Sequence, residues 1–272
     1  MPFSHFRPDT TRYHPENALS LGAAAKLAYA APEAIVAGCG QWGLTQTRFI
    51  ESPPESRRDT QLFVAANAEL VLVAFRGTEP MKLQDWLADA NTVLIDGPFG
   101  GRVHAGFSLA LASVWTPMLE AILALRDRGQ ALWFTGHSLG AALAALAVAR
   151  LRDEFDQPVH GLYTFGQPRI GDRVFERAYN QDNRDRSFRF VNNNDVVTRV
   201  PTRLSGFSHI GTFLYFDHDH DLRADMHFWY RFLDRVAGRV EDLGRLGTDG
   251  INDHAMDAYL LGLEKNRAVY PF

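Results

Sequence analysis

A glycine-flanked serine, Gly136-His137-Ser138-Leu139-Gly140, lies between a short apolar run at 131–135 (ALWFT) and an Ala/Leu-rich stretch at 141–150. Five apolar residues suffice for a buried strand, and Ala and Leu are strong helix formers. The pattern therefore reads as strand, sharp turn and helix, the setting a G-x-S-x-G nucleophile elbow requires. Such a turn strains the serine backbone and presents its hydroxyl at the carboxyl end of the strand. The first N–H groups of the helix then face any negative charge that develops there. As a bare pentapeptide the pattern also arises by chance, and an ordinary loop serine before a helix is the alternative. Its placement between strand and helix is what marks Ser138 as a candidate nucleophile.

A serine hydroxyl attacks poorly at neutral pH unless a base takes its proton. Histidine, with an ordinary pKa near 6.5, suits that task, and a carboxylate must hold the imidazole in the right tautomer. Downstream of Ser138 stand His160, His209, His218, His220, His227 and His254. Position favours Asp195, on a loop just after an apolar strand, and His254, at the start of a late helix beside Asp253. Spacing alone leaves the other histidines open. The oxyanion of an acyl-transfer intermediate needs two donors. The N–H of the residue after the nucleophile, Leu139, is one. Thr78, which follows the run LVLVAF and Arg76-Gly77, is placed to be the other, although a turn or capping residue would read the same way.

Residues 79–92 place Leu83, Trp86, Leu87 and Ala90 at i, i+3, i+4 and i+7, opposite Lys82, Gln84, Asp85 and Asp89. That is one apolar face on a short helix. Beside the Thr78 donor it reads either as a lid whose apolar face meets lipid when open or as a fixed surface helix packing Trp86 on the core. Trp86 and His137 are the candidate substrate-binding residues. His137, inside the elbow, is expected to point away from the nucleophile's side and to pack.

These groups need a rigid frame. Helices are expected at 17–31 (ended by Pro32), 107–128 (stopped by Gly129), 172–180, 222–240 and 253–266. Strands are expected at 44–50, 61–66, 70–75, 159–165, 187–191 and 208–216. Turns or loops fill 38–43, 51–59, 97–101, 166–169 and 192–195. The alternation predicts an α/β fold, a mostly parallel sheet with helices on both faces. No Pro/Gly/Ser-rich linker divides the 272 residues, so a single domain over 1–272 is expected.

Composition narrows the function classes. A net charge of -4 argues against a nucleic-acid partner. The lone Cys39 excludes an internal disulfide framework and fits a reducing compartment. Residues 1–20 are polar and broken by Pro2, Pro8 and Pro15, with no apolar signal core, so a cytoplasmic or non-classically secreted protein is expected. No stretch reaches the ~20 apolar residues of a membrane span. The tract Asp217-His218-Asp219-His220-Asp221 invites a metal-site reading, but a solvated hairpin tip is the expectation. His104 and His209 are expected to be structural, and Arg76 a buried structural charge. No metal or organic cofactor is called for.

Seven motifs in order resemble those of the class 3 lipases, over roughly residues 70–263. AFRGT (74–78) with its downstream W-x-x-D is similar to the family's oxyanion strand and lid segment. VHAGF (103–107) matches the stretch before a long helix, TGHSLGAALA (135–144) the elbow, and TFGQPRIGD (164–172) the following strand and loop. VNNNDVVTRVP (191–201) resembles the segment of the catalytic aspartate. FSHIG (207–211) and NDHAMDAY (252–259) resemble the last strand and the catalytic-histidine helix. The resemblance implies an α/β-hydrolase fold, Ser138 as nucleophile, Asp195 as acid, His254 as base, and Thr78 and Leu139 as oxyanion donors. It implies a lipid or other ester as substrate, with a transient lipid-interface contact through the lid. Triacylglycerol lipase is the leading activity. Phospholipase A1, feruloyl-type esterase and a catalytically silent lipid-binding relative are the alternatives. Fungal members are secreted and disulfide-bonded; this chain lacks both signs and is nearer the bacterial or intracellular relatives.

Overall fold

Apolar runs in the sequence become the middle of a sheet. The computed structural model describes residues 1–78, 93–224, 250 and 252–272. In chain order come helices α1 (Pro15–Leu27) and α2 (Pro32–Gln41), then strands β1 (Gln46–Glu51), β2 (Gln61–Ala66) and β3 (Leu70–Phe75). A hairpin of β4 (Leu94–Asp96) and β5 (Arg102–His104) leads into α3 (Ala105–Ala112) and α4 (Trp115–Leu125). β6 (Ala131–His137), α5 (Leu139–Phe155), β7 (Gly161–Phe165), α6 (Arg173–Asn183) and β8 (Ser187–Asn192) alternate. The hairpin β9 (Thr212–Phe216) and β10 (Leu222–Ala224) follows, and α7 (Met256–Lys265) comes last.

Eight strands form one sheet in the order β1-β2-β3-β6-β7-β8-β9-β10. From β3 to β9 the pairing is parallel, with antiparallel strands at both edges. Every residue of β3, β6 and β7 is buried, as strands covered on both faces must be. Alternation along a strand divides the core in two. Leu132 and Phe134 face the layer of α3, α4 and α5. Trp133, Tyr163 and Phe165 face the layer of α1, α2 and α7. The parallel strands all end at one edge, and the loops of the candidate site leave from there.

Several expected elements differ. The region 38–43, expected as a turn, completes a helix, α2. Pro32 opens it at the first position, where a missing N–H costs nothing, and the turn is confined to Trp42 and Gly43, the latter at φ +80°. The single long helix expected at 107–128 is two, α3 and α4, bent by 53°. Pro117 has no N–H to return to Ser113, and its ring would clash with that carbonyl in a continuous helix. Residues 222–224, expected to begin a helix, pair with β9 as a strand; 225–249 lie outside the described residues. So do residues 79–92, with Trp86, where a lid or a fixed surface helix is expected. The β4–β5 hairpin was not anticipated, because three-residue strands carry too little alternation to register. Among the described residues no single helix is long and apolar enough to cross a membrane.

Candidate active site

β6 ends at His137 and α5 begins at Leu139, leaving Ser138 between them at φ 58°, ψ −128°. That conformation is costly for a residue with a side chain and persists only where the surroundings enforce it. Two glycines let the elbow close. A Cβ on Gly136 would stand 2.4 Å from the Gly140 carbonyl oxygen, and one on Gly140 would stand 2.4 Å from the Phe75 carbonyl oxygen. The Ser138 N–H donates to the Phe165 carbonyl (3.0 Å), tying the elbow to the end of β7. The side chain is buried, and among the described residues Ser138 Oγ has no hydrogen-bond partner.

The residue after Phe165 makes the next contact. Gly166, at φ +61°, leaves room that a Cβ would take 2.7 Å from His254 Cε1 and 2.9 Å from Asp195 Oδ2. Ser138 on one side and the His254–Asp195 pair on the other thus flank the end of β7. His254 Nδ1 lies 2.8 Å from Asp195 Oδ2, and His254 Nε2 is buried without a partner among the described residues. A carboxylate can only accept, so Nδ1 carries the proton and Nε2 is left as the free acceptor.

Asp195 is fully buried and held on every side. Oδ2 also accepts from the Tyr259 hydroxyl (2.5 Å), and Oδ1 accepts from the Val197 N–H (2.9 Å). Burial by itself pushes the carboxyl up. The charge and hydrogen bond of His254, together with the Tyr259 hydroxyl, outweigh it, and the net position is below the ordinary carboxylate value. The loops carrying the pair are stapled together by Asp253. Its carboxylate accepts from Asn193 Nδ2 (3.0 Å) and the Asn194 N–H (3.1 Å), and its carbonyl accepts from Asn192 Nδ2 (3.0 Å). Tyr259 and Asp253 were not singled out from the sequence. Both sit within five residues of His254, and that proximity was the only signal.

His137, expected among the substrate-binding residues, does not line an open surface. It is buried, with Nδ1 2.8 Å from the Tyr29 hydroxyl and Nε2 2.7 Å from the His254 carbonyl oxygen. Both ring nitrogens are taken inside the protein, which corrects the substrate-binding reading and agrees with the expectation that the ring packs. Burial, reinforced by the neighbouring His254, lowers its pKa to about 3.

The end of β3 lies against the elbow. A Cβ on Gly77 would stand 2.4 Å from the His137 carbonyl oxygen and 3.1 Å from Ser138 Cβ. Thr78 follows Gly77 directly and is half-buried. Leu139 opens α5, where a backbone N–H has no intrahelical acceptor. Arg76 is mostly covered and pairs with Asp59 (2.8 Å), as a structural charge would.

The remaining histidines fall elsewhere. His104 caps α3 and stacks on Phe107. His209 is buried, with Nε2 2.9 Å from the Thr198 carbonyl oxygen. His160 lies at the opposite end of the parallel strands, with Nδ1 accepting from the Leu132 N–H. His218 and His220 lie in the β9–β10 turn, where Asp217 accepts from the N–H groups of Asp219 and Asp221 and pairs with Arg223. His227 lies outside the described residues.

A mostly parallel sheet with helices on both faces, and a serine turn between its central strand and the next helix, make this an α/β-hydrolase fold. The triacylglyceride lipase of Rhizomucor miehei superposes with a TM-score of 0.62 at 25% identity, over 75% of this chain and 80% of that one. The family model described as Lipase (class 3) matches residues 72–205 of this chain. Among curated relatives, triacylglycerol lipase OBL1 of Arabidopsis thaliana is 28% identical over 228 residues, 65% of this chain and 44% of that protein. The secreted mono- and diacylglycerol lipase LIP4 of Malassezia restricta is 35% identical over 149 residues, 51% of this chain and 49% of that protein. The chain thus spans about half the length of these relatives.

Proposed function

We propose that the protein is a serine carboxylic-ester hydrolase of the triacylglycerol-lipase type, with Ser138 as nucleophile, His254 as base, Asp195 as orienting acid, and Thr78 and Leu139 as oxyanion donors. The observation that carries this reading is a pair of buried atoms with no other partner among the described residues: a hydroxyl, Ser138 Oγ, and an acceptor nitrogen, His254 Nε2, on either side of Phe165–Gly166. Burying both without internal bonds costs stability and fits groups reserved for a substrate and for each other.

In the proposed reaction His254 Nε2 takes the Ser138 proton as Oγ bonds to the ester carbonyl carbon. The carbonyl electron pair moves onto oxygen, where the Thr78 and Leu139 N–H groups receive it. Collapse of the intermediate breaks the bond to the alcohol, which leaves with the proton from His254. A water, deprotonated by the same nitrogen, then releases the acid and returns the proton to Ser138 Oγ. Asp195 stays ionised and holds Nδ1–H throughout. The names of the relatives support an acylglycerol as substrate. The apolar stripe of Leu83, Trp86, Leu87 and Ala90 supports a transient contact with a lipid surface.

Ser138→Ala is expected to fold normally and to lose turnover of p-nitrophenyl esters and labelling by a fluorophosphonate probe; retained turnover would sink the assignment. A panel of p-nitrophenyl acyl chains, triglyceride, phospholipid and methyl ferulate, run below and above the solubility limit, is expected to favour acylglycerol, with a rise in rate once an interface forms.

A further inference from the structure

The mechanism above leaves two polar side chains beside the base without a task, the half-buried Tyr29 and the buried His137. Tyr29 follows the end of α1, and its hydroxyl lies against the end of β3; a Cβ on Gly77 would stand 2.2 Å from that oxygen. Burial raises the pKa of the phenol, so it stays protonated and able to donate. Its hydroxyl meets His137 Nδ1 at 2.8 Å, and His137 Nε2 meets the His254 carbonyl oxygen at 2.7 Å. A carbonyl only accepts, so Nε2 must carry the hydrogen. In the neutral ring Nδ1 is then an acceptor, and the Tyr29 O–H is the donor that fixes this tautomer. The two imidazoles also lie against each other, tilted, with centroids 4.4 Å apart and planes 31° apart.

We propose that Tyr29 and His137 form a strut that positions His254, running from the oxyanion loop at Gly77 through the elbow to the backbone of the base. Asp195 sets the tautomer and direction of the His254 ring through Nδ1, but it does not hold the backbone from which the ring hangs. His137 does so, from the residue directly before Ser138. The nucleophile and the mount of its base are therefore consecutive residues of one strand end, and the distance between Ser138 Oγ and His254 Nε2 is set by the rigidity of β6 rather than by the loop before α7. Tyr29 and His137 are positioning residues that touch no reacting atom.

The inference rests on the ester-hydrolase reading, so the test separates the two. His137→Leu removes the donor to the carbonyl; His137→Gln retains an N–H at a similar reach; Tyr29→Phe removes one oxygen and leaves the packing. On a soluble short-chain p-nitrophenyl ester, His137→Leu is expected to lower kcat by about 10²-fold, the size of effect a misplacement of about 1 Å produces, with KM nearly unchanged. Tyr29→Phe is expected to lower kcat less, and His137→Gln to recover most of it. The second readout needs no substrate: the downfield proton resonance of the His254 Nδ1–H bound to Asp195 should be sharp in the parent and in His137→Gln, and broadened in Tyr29→Phe and His137→Leu. An active parent whose folded variants keep kcat and the sharp resonance overturns the strut, as does His137→Gln failing as badly as His137→Leu. If His137→Leu does not fold, Tyr29→Phe decides by the same two readouts. A parent inactive on every ester overturns the functional reading instead, and the resonance still tests the strut.

Discussion

Asp195 shows how much a single residue can be asked to hold. Its two oxygens accept from His254, Tyr259 and the Val197 N–H, and none of these donors can be exchanged for an acceptor. An asparagine in its place would turn an N–H toward His254 Nδ1. The imidazole would then take the opposite tautomer and carry its hydrogen on Nε2, where the proposed reaction delivers the Ser138 proton. Asp195→Asn is therefore expected to lower kcat by about 10⁴-fold, the loss seen when a triad carboxylate becomes an amide. Near-normal thermal unfolding would show that the loss is chemical. Steady-state assay on a soluble ester checks the first part and circular dichroism the second.

Among the elements, the approach of β3 to the start of α5 decides whether the two proposed oxyanion donors, Thr78 and Leu139, share a site. Gly140 lies in the first turn of α5 with no space for a side chain, since an added Cβ would meet the Phe75 carbonyl oxygen at 2.4 Å and the Arg76 carbonyl carbon at 2.8 Å. Both are backbone atoms of the stretch leading to Thr78, so the strand end would have to move. Gly140→Ala is expected to cost about 1–3 kcal/mol, the range for overpacking a tight site, and to lower kcat by separating Thr78 from Leu139. Gly40 gives the contrast. It is also helical, in α2, but nothing lies within 4 Å of an added Cβ. Gly40→Ala should raise stability by about 0.4–1 kcal/mol through the unfolded chain and leave kcat alone. Urea unfolding of both variants, alongside their turnover, checks the pair.

Across the whole molecule, buried neutral histidines couple folding to pH. Burial, aided by the adjacent His254, lowers His137 to about 3. Burial, aided by the charges of Arg189 and Arg169, lowers His209 well below the ordinary value. Below about pH 6.5 the unfolded chain binds protons that the folded protein refuses, so stability falls as pH falls. Each of these two histidines should contribute roughly 1 kcal/mol per pH unit in that window. Asp195 adds the same sign only at lower pH, since its folded value lies below the ordinary carboxylate one. Urea midpoints measured from pH 7 to pH 5 are expected to drop steadily. A flat profile would mean that the folded protein takes up these protons as readily as the unfolded chain.

The sequence by itself determined the elements with strong local signals. Strands β2 and β3 have the expected bounds because six-residue apolar runs between polar turns leave little freedom. The elbow was legible because glycine, serine and glycine must stand at fixed spacing for that turn to close. Family motifs ordered Ser138, Asp195 and His254 along the chain, but no spacing rule relates residues 138, 195 and 254. The parallel register of β6, β7 and β8 ends all three strands at one edge and brings the Ser138 and Asp195 loops together, and only the hydrogen bonds of Asp253 to Asn192–Asn194 and of the His254 carbonyl to His137 hold His254 beside them. The break between α3 and α4 and the helix at α2 depended on proline positions whose effect changes with their place in a helix. The tasks of Tyr29, Asp253 and Tyr259 were decided by tertiary structure alone. A hydrogen-bond partner far away in sequence leaves no periodic trace, and a buried polar group shows what it does only once its neighbours are in place.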